Sequence, residues 1–205
     1  MSTTYFTSDT HYNHKNICSS TSEWTNKKRC RQFPSLEAMN DALVDAINRV
    51  VQSNDVLWHL GDWSFGGINS IKEFRDRINC VNIHLVLGNH DHHMAKEEIA
   101  QLFSSVQHYK EIKVEGIEIV LMHYALRVWN RQAQGAWHLY GNSHGSLPRL
   151  NNYSIDVGVD GLSYEQLKSP YSIDELKEVF KNDTINPEDH HTRSSQTPPL
   201  GGRHG

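Results

Sequence analysis

The stretches "VLWHLGDWSFGG" (56–67) and "IHLVLGNHDHHM" (83–94) are built alike. Each begins with an apolar run that predicts a buried strand, ends that run in Leu-Gly, and continues into Asp62 or into Asn89, His90 and Asp91. A chain that only had to turn would use Gly with Pro, Asn or Ser. Grouping carboxylates and imidazoles beside a core costs free energy. The pattern therefore leaves two alternatives, polar turns or the edge of an active site.

Three more predicted strands end in the same kinds of residue. The strand at 4–8 runs into Asp9 and His11, the hairpin strand within 112–123 ends at His123, and the strand at 137–141 runs into Asn142 and His144. In layered α/β sheets the carboxyl ends of strands meet at one edge, where ligands bind. Any one of these residues could be an ordinary turn residue, but five such endings together predict a single site.

Helical patterns alternate with these strands. Apolar residues recur at helical spacing behind Ser35, which is placed as an N-cap, and Ser70 with Glu73 predicts a capping box at the start of a second helix. Strands that alternate with helices and are followed by a run of strands predict an α/β or α+β layered domain. The predicted helices cover 35–51, 70–78, 95–103 and 172–180, and Glu115-Gly116 is placed at the hairpin turn.

Length and composition limit the class of protein. The 205 residues predict one domain over 1–181, followed by a disordered polar tail over 182–205 that is rich in Pro, Gly, Ser, Thr and His. The formal net charge of −4 and the pI of about 6.4 exclude a broadly basic nucleic-acid binder. Three cysteines without a C-x-x-C pair, together with the lack of a signal peptide or a long apolar run, predict a cytoplasmic protein. We expect the protein neither to associate with a membrane nor to form a stable complex with nucleic acid, and the oligomeric state stays open.

The residue types at the strand ends indicate a metal site. Carboxylates, imidazoles and amides without cysteine are the ligands of hard to borderline cations such as Mn, Fe, Zn, Co or Ni. These ligands outnumber the needs of one tetrahedral ion, which favours two ions that share a carboxylate. Two ions ~3.5–4 Å apart can polarise a phosphoryl group and generate a hydroxide nucleophile. No P-loop, H-E-x-x-H or G-x-S-x-G motif supports a rival mechanism.

The ordered motifs resemble those of the calcineurin-like metallophosphoesterase superfamily, in particular its small stand-alone bacterial and phage-type members. The resemblance covers roughly residues 4–180 and includes "SDTHYNHKNI", "HLGD", "HYALRVWN" and "DVGVD". It implies the four-layer metallophosphoesterase fold, a β-sandwich flanked by α-helices, with a dimetal site at one edge of the sandwich. The motifs that carry it are Asp9-x-His11, Gly61-Asp62, Gly88-Asn89-His90-Asp91, His123 and Gly141-x-x-His144.

Two divalent ions are implied by the resemblance, with Mn favoured over Fe, Zn, Ni or Co. Asp62 would bridge them. Asn142 stands where the family usually has a histidine that binds the second ion, and an amide oxygen is a weaker donor than an imidazole. The first ion would be held by Asp9, His11 and His144, and the second by Asn89, His123 and Asn142.

The implied activity is hydrolysis of a phosphodiester or phosphomonoester. A metal-bridging hydroxide would attack phosphorus, with His90 as general acid and Asp91 orienting His90. The chain has no insertion long enough for a lid, which favours an open cleft and a nucleotide-type small phosphoester. The alternative is a catalytically weak metal-binding interaction module with the same fold.

Several other residues have two readings. His14 could contact substrate or begin a helix, and Arg127 could bind substrate phosphate or pair with a surface acid. The basic run "NKKRCR" (26–31) is typical of a solvated loop, with steering of an anionic substrate as a minor role. Structural, hydrogen-bonded roles are predicted for His59, His84 and His138.

Overall fold

The computed structural model of the chain describes residues 2–94, 96–150, 152–161 and 166–185. Five strands form one sheet, in the order β4-β3-β2-β1-β9, and four form a second sheet, in the order β5-β6-β7-β8. The strands are β1 (Thr4–Thr7), β2 (Val56–His59), β3 (Asn82–Val86), β4 (Ser105–Gln107), β5 (Tyr109–Val114), β6 (Ile117–Met122), β7 (Trp137–Tyr140), β8 (Ser154–Asp156) and β9 (Tyr171–Ser172). The helices are α1 (Leu36–Asn48), α2 (Ile68–Arg77), α3 (Glu97–Ala100) and α4 (Ile173–Phe180), with 3-10 turns at Lys15–Ile17 and Gln132–Gln134.

The two sheets pack against each other, since side chains of both contribute to one buried apolar cluster, and side chains alternate between the two faces along each strand. On β2, Leu57 packs among residues of α1 and α2, whereas Trp58 faces the second sheet and packs with Leu121 and Leu139. Residues of α4 join this inter-sheet core. The mixed α/β fold, with two sheets flanked by helices, is therefore confirmed.

Parallel pairing brings the strand ends to one edge. In the first sheet β1 pairs in parallel with β2, and β2 with β3. In the second sheet β6 pairs in parallel with β7, and β7 with β8. The hairpin between β5 and β6 turns at Glu115 and Gly116, as predicted, and both of these residues have positive φ.

The predicted capping box at Ser70 and Glu73 is wrong. Helix α2 begins earlier, at Ile68, behind Gly67, and Ser70 is buried within it. The side chain of Ser70 accepts a hydrogen bond from Asn13 Nδ2 at 2.9 Å, and Glu73 accepts one from Tyr12. The side chains of Ser70 and Glu73 therefore bind residues outside the helix and do not cap its first turn. The capping box of α4, formed by Ser172 and Glu175, is present.

Some boundaries differ from the prediction. Helix α3 covers only Glu97–Ala100, and the short strands β4 and β9 were not predicted.

Within the predicted tail the structure describes residues 182–185. There the Asp183 carboxylate accepts hydrogen bonds from Arg149 Nη2 at 2.6 Å and from the Tyr153 main-chain N–H at 2.9 Å. Residues 186–205 lie outside the described part of the chain. Among the described helices, none has the length and apolarity that a bilayer crossing needs.

Candidate metal centre

Main-chain hydrogen bonds tie the strand ends together. The Asp9 N–H donates to the Gly61 carbonyl and the His11 N–H to the Asp62 carbonyl, both at 2.9 Å. On the second sheet the Gly141 N–H donates to the His123 carbonyl at 2.9 Å. These bonds place the residues after β1, β2, β6 and β7 at one edge of the sandwich.

The glycines before the polar residues leave the space that the ligand side chains occupy. A Cβ on Gly88 would lie 2.2 Å from Asp62 Oδ1, and a Cβ on Gly141 would lie 2.5 Å from Asp9 Oδ2. Gly61 additionally has φ +101°, and its Cβ would lie 2.5 Å from His123 Nδ1. The Leu-Gly endings in the sequence are therefore explained by close approach of the backbone to the site.

One cluster of ligand atoms joins Asp9, His11 and His144, whose donor atoms all lie within 4.8 Å of one another. The Nε2 atoms of His11 and His144 are 3.3 Å apart, and each lies 3.9 Å from Asp9 Oδ1. The two imidazole rings are stacked, with centroids 5.1 Å apart.

A second cluster joins Asp9, Asp62 and His123 within the same 4.8 Å limit. Asp62 Oδ2 lies 3.5 Å from His11 Nε2 and 3.5 Å from His123 Nε2, so one carboxylate oxygen stands between the two clusters. Asn89 Oδ1 lies 3.0 Å from His123 Nε2. The sequence predicted that these residues lie together, but it did not predict that Asp9 belongs to both clusters.

These residues fit divalent cations. Asp9 and Asp62 are both buried, and within the described residues neither carboxylate has a Lys or Arg partner. Burial raises the pKa of Asp9 to about 7, against the opposite effect of the His144 and His123 charges. Burial, followed by the charge of Arg31, lowers the pKa of His11, so its imidazole is neutral and can donate a lone pair. Buried oxygen and nitrogen donors, with carboxylates that no Lys or Arg neutralises among the described residues, are a suitable ligand set for a borderline metal ion.

Behind the clusters lies a buried ion pair that the sequence analysis missed. Arg31 is 0 % exposed and donates to both carboxylate oxygens of Asp160, at 2.7 and 2.9 Å. It also donates to the main-chain carbonyls of Asp9 and Thr10, at 2.6 and 2.7 Å. The prediction of a solvated loop is therefore wrong for Arg31. The partner Asp160 ends the "DVGVD" segment and lies 129 residues from Arg31 in the sequence, so the ion pair is recognised only in the folded structure.

Asp160 also contacts His144, one of the predicted ligands. Its Oδ2 lies 2.6 Å from His144 Nδ1, which leaves Nε2 of that ring facing the cluster. Burial alone would lower the pKa of His144, but the hydrogen bond to Asp160 and the charge of Asp9 outweigh burial and raise it. A carboxylate on the far nitrogen of a histidine is the usual support of a metal-binding imidazole.

Asp91 organises the backbone and is not seen to orient His90. Its Oδ2 accepts from the main-chain N–H groups of Gly88 and Asp62, both at 2.8 Å, and its Oδ1 accepts from that of Trp63 at 3.0 Å. Both carboxylate oxygens therefore bind main-chain N–H groups, and the predicted role of Asp91 in orienting His90 stays a prediction. His90 is exposed, and its own N–H donates to Asp62 Oδ1 at 2.9 Å.

His14 begins a 3-10 turn beside the site. Its Nδ1 accepts from the main-chain N–H groups of Asn16 and Ile17, at 3.2 and 3.3 Å. Its ring lies against Phe65, with centroids 3.7 Å apart, and is 5.7 Å from the ring of His11. The role at the start of a helical turn is confirmed, and the substrate contact stays a prediction.

Asn142 contacts the first cluster through its main chain, and Arg127 lines a separate cavity. The main-chain N–H of Asn142 donates to both Asp9 carboxylate oxygens, at 3.0 and 2.9 Å, while its side chain is exposed. Arg127 is exposed and lines a cavity with Leu126 and Tyr140, and none of the predicted metal ligands lines that cavity. Neither predicted side-chain role is shown by these contacts.

The predicted structural histidines have the expected partners. His59 is buried and bonded to Thr10 Oγ1 at 2.9 Å, and His84 Nδ1 lies 2.7 Å from Ser105 Oγ. His138 accepts from the Leu126 N–H at 2.9 Å and faces the Val120 carbonyl.

Comparison with known proteins gives one family and several similar chains. The family model described as calcineurin-like phosphoesterase matches residues 2–202. An uncharacterized protein of Methanocaldococcus jannaschii is 27% identical over 190 residues, which cover 88% of this chain and 93% of that protein. A solved structure of a protein of unknown function from Aquifex aeolicus has a TM-score of 0.63 at 23% identity and covers 87% of this chain and 100% of that one. This likeness supports the fold alone.

Proposed function

The chain belongs to the calcineurin-like phosphoesterase family, and on that premise we propose that it is a metal-dependent hydrolase of a phosphodiester or phosphomonoester. We favour a nucleotide-type substrate, two divalent ions and Mn as the metal. The observation that carries the proposal is the position of Asp62 Oδ2, which lies 3.5 Å from the Nε2 atoms of His11 and His123. One carboxylate oxygen between two clusters of ligand atoms is the arrangement that a bridged pair of ions needs.

The ligand roles follow from the two clusters. We assign Asp9, His11 and His144 to one ion, Asn89 and His123 to the other, and Asp62 to both. Bound ions would supply Lewis-acid activation of water and of the phosphoryl group. The chain itself orients the donors: Asp160 turns the His144 ring, and the Asp91 carboxylate holds the backbone on both sides of the site.

His90 is proposed as the general acid. Its ring centroid lies 5.5 Å from that of His11, and its side chain is exposed, so a leaving group can approach it. Its main-chain bond to Asp62 ties its position to the proposed bridging residue. In hydrolysis the oxygen of water bonds to phosphorus, the ester P–O bond breaks, and His90 passes its proton to the departing oxygen.

Metal removal tests the proposal. Protein stripped with a chelator should lose hydrolysis of bis-p-nitrophenyl phosphate and of p-nitrophenyl phosphate, and should regain it with Mn or another first-row divalent ion. Activity and metal content are measured on the same samples. Full activity in protein with no residual metal would refute the proposal, and tight metal binding without hydrolysis would favour the interaction module.

Two variants separate binding from chemistry. Asp62→Asn should lose metal and activity together, because we assign that carboxylate to both ions. His90→Ala and His90→Gln should keep their metal while turnover falls roughly 10²–10⁴-fold, the range for loss of a general acid. If His90→Ala lost metal to the same extent as Asp62→Asn, His90 would be a ligand.

A further inference from the structure

A cavity of about 270 Å³ opens beside the proposed metal ligand His144. Trp24, Arg29 and Ser143 line it together with His144. Ligand pockets commonly measure about 300–1,000 Å³, so this cavity has room for one small group and not for an oligomer. Because His144 lines the cavity, an occupant would lie beside that proposed metal ligand.

Trp24 gives the cavity an aromatic wall. Its side chain is 46% exposed, although large apolar side chains in this chain are mostly buried. Its ring contacts the ring of His14 edge-on, with centroids 6.1 Å apart, so the aromatic wall of the cavity extends towards His14. An exposed indole next to hydroxyl and guanidinium groups suits a planar, polar-edged ring such as a nucleobase.

Arg29 gives the same cavity a positive charge. It is exposed and belongs to the basic run 26–31 of a chain whose net charge is −4. Arg127, which the sequence analysis considered for substrate phosphate, lines a different cavity. The guanidinium that shares a cavity with a proposed metal ligand is therefore that of Arg29.

The loop that carries Trp24 and Arg29 is anchored to the site. At its base the Ser19 N–H donates to the Arg31 carbonyl at 2.9 Å, and the Arg31 N–H donates to the Ile17 carbonyl at 2.7 Å. The Arg31 side chain then binds the main chain of Asp9, a proposed ligand. This anchoring gives the cavity a preformed shape relative to the metal clusters.

A second cavity, of about 240 Å³, is lined by His90 and Phe65 and shares no lining residue with the cavity at Trp24. The ring of His11 is close to both cavities, with centroids 5.5 Å from His90 and 5.1 Å from His144. If His90 protonates the leaving group, the leaving group lies at the His90 cavity. The cavity at Trp24 then receives the substituent that stays on phosphorus.

We propose that the Trp24–Arg29 cavity binds the nucleoside of a nucleoside phosphodiester, with the base stacked on Trp24 and the polar edge of the base in contact with Arg29. This inference rests on the proposed function and adds the substrate class. It requires a phosphodiester, since only a diester carries a substituent on each side of phosphorus.

Two substrates with the same leaving group test the proposal. Thymidine 5′-(p-nitrophenyl phosphate) and methyl p-nitrophenyl phosphate both release p-nitrophenolate and differ only in the retained substituent. In Mn-loaded protein the ratio of their kcat/KM values should favour the thymidine ester. Trp24→Ala should lower that ratio about tenfold, within the range that one base–aromatic stack contributes, and chiefly through KM. Trp24→Phe should restore most of it, and Arg29→Gln should lower it.

Lys28→Gln is the matched control, because it removes a charge from the same loop at a residue that does not line the cavity. Its ratio should equal that of the wild type. A Trp24→Ala ratio equal to the wild-type ratio would overturn the inference while hydrolysis itself stands. If the wild type hydrolyses p-nitrophenyl phosphate but neither ester, the inference fails and the proposed function stands. If it hydrolyses none of the three, the proposed function fails. Calorimetry with thymidine 5′-monophosphate then decides: binding that Trp24→Ala abolishes supports the cavity assignment, and no binding overturns it.

Discussion

At the scale of single residues, the site is built from unusual backbone conformations. Five side chains predicted to bind metal lie on residues in the left-handed region, which costs roughly 1–2 kcal/mol for most L-residues and less for Asn and Asp. Such strain is kept where the surrounding structure over-determines it, typically at functional sites. The five are Asp9 (φ 58°), His11 (47°), Asp62 (57°), Asn142 (62°) and His144 (47°).

Asn142→His tests whether the side chain at this position can reach the second ion. His11 and His144 show that histidine is tolerated in the left-handed region of this site. An imidazole is a stronger donor to a borderline ion than an amide. We expect the proposed second ion to bind on the order of tenfold more tightly, with activity rising at lower metal concentration. Calorimetric metal titration alongside an activity assay measures both.

Asn142→Gly is the control for that substitution. Glycine keeps the left-handed conformation and the main-chain N–H that donates to Asp9, and it removes only the side chain. Its metal affinity should stay at or below that of the wild type. Equal affinities in wild type and Asn142→His would show that residue 142 does not face the ion.

Sequence predicted the residues that touch the site and missed those that support it. The proposed ligands lie next to strand ends, so local sequence patterns indicate them. Arg31 and Asp160 are 129 residues apart, and no local pattern distinguishes the buried Arg31 in "NKKRCR" from the exposed basic residues of the same run. Asp91 was predicted to act on its sequence neighbour His90, whereas its carboxylate binds the main chain of the adjacent strand end.

At the scale of elements, the ends of β2 and β3 approach each other more closely than any side chain at Gly88 would allow. We expect Gly88→Ala to weaken metal binding at least tenfold and to cost about 1–3 kcal/mol of stability, as overpacking does, because the added Cβ would lie 2.2 Å from Asp62 Oδ1. Metal titration and urea unfolding test this.

Gly116→Ala separates this steric effect from backbone strain. Gly116 has φ +86° at the hairpin turn, and an added Cβ there meets nothing within 4 Å. Its alanine variant should lose about 1 kcal/mol and bind metal like the wild type. Wild-type metal affinity in Gly88→Ala would contradict the close-approach explanation.

The segment between β1 and α1 depends on the buried pair of Arg31 and Asp160. Asp160→Asn leaves the Arg31 charge buried without its partner and should cost about 3–5 kcal/mol. The exposed pair of Asp41 and Arg77, 2.6 Å apart, gives a matched comparison. Asp41→Asn should cost less than about 1 kcal/mol. Urea unfolding of metal-free protein at pH 7 compares the variants, and equal losses would mean that the buried pair does not anchor this segment.

At the scale of the whole molecule, the sandwich was predictable because its central strands carry long apolar runs. Strands β4 and β9 have three and two residues, too few for a periodic pattern. Helix α2 begins at a position set by its tertiary partners and not by local capping. Sequence periodicity therefore predicts the layers, while the ends of elements depend on contacts that form only in the folded chain.

The pH dependence of stability also belongs to the whole fold. His138 is fully buried, receives the Leu126 N–H at Nε2 and faces the Val120 carbonyl with Nδ1, so its neutral form satisfies both partners. Burial lowers the pKa of His138 to about 4. Between pH 6.5 and 4 the unfolded chain therefore binds a proton that the folded chain does not, and stability falls as pH falls through this range.

The contribution of His138 can be isolated with His138→Gln, whose amide can still accept the Leu126 N–H. A pKa lowered from 6.5 to about 4 corresponds to about 3 kcal/mol of stability that is present above pH 6.5 and lost by pH 4. Asp9 acts in the opposite direction, because its raised pKa makes the metal-free folded chain bind the extra proton below pH 7, but this effect is common to both proteins. Urea unfolding of metal-free protein from pH 7 to pH 4.5 should therefore show a smaller loss of stability in His138→Gln than in the wild type. Parallel losses in the two proteins would mean that His138 is already protonated in the folded chain, against the hydrogen-bond pattern around its ring.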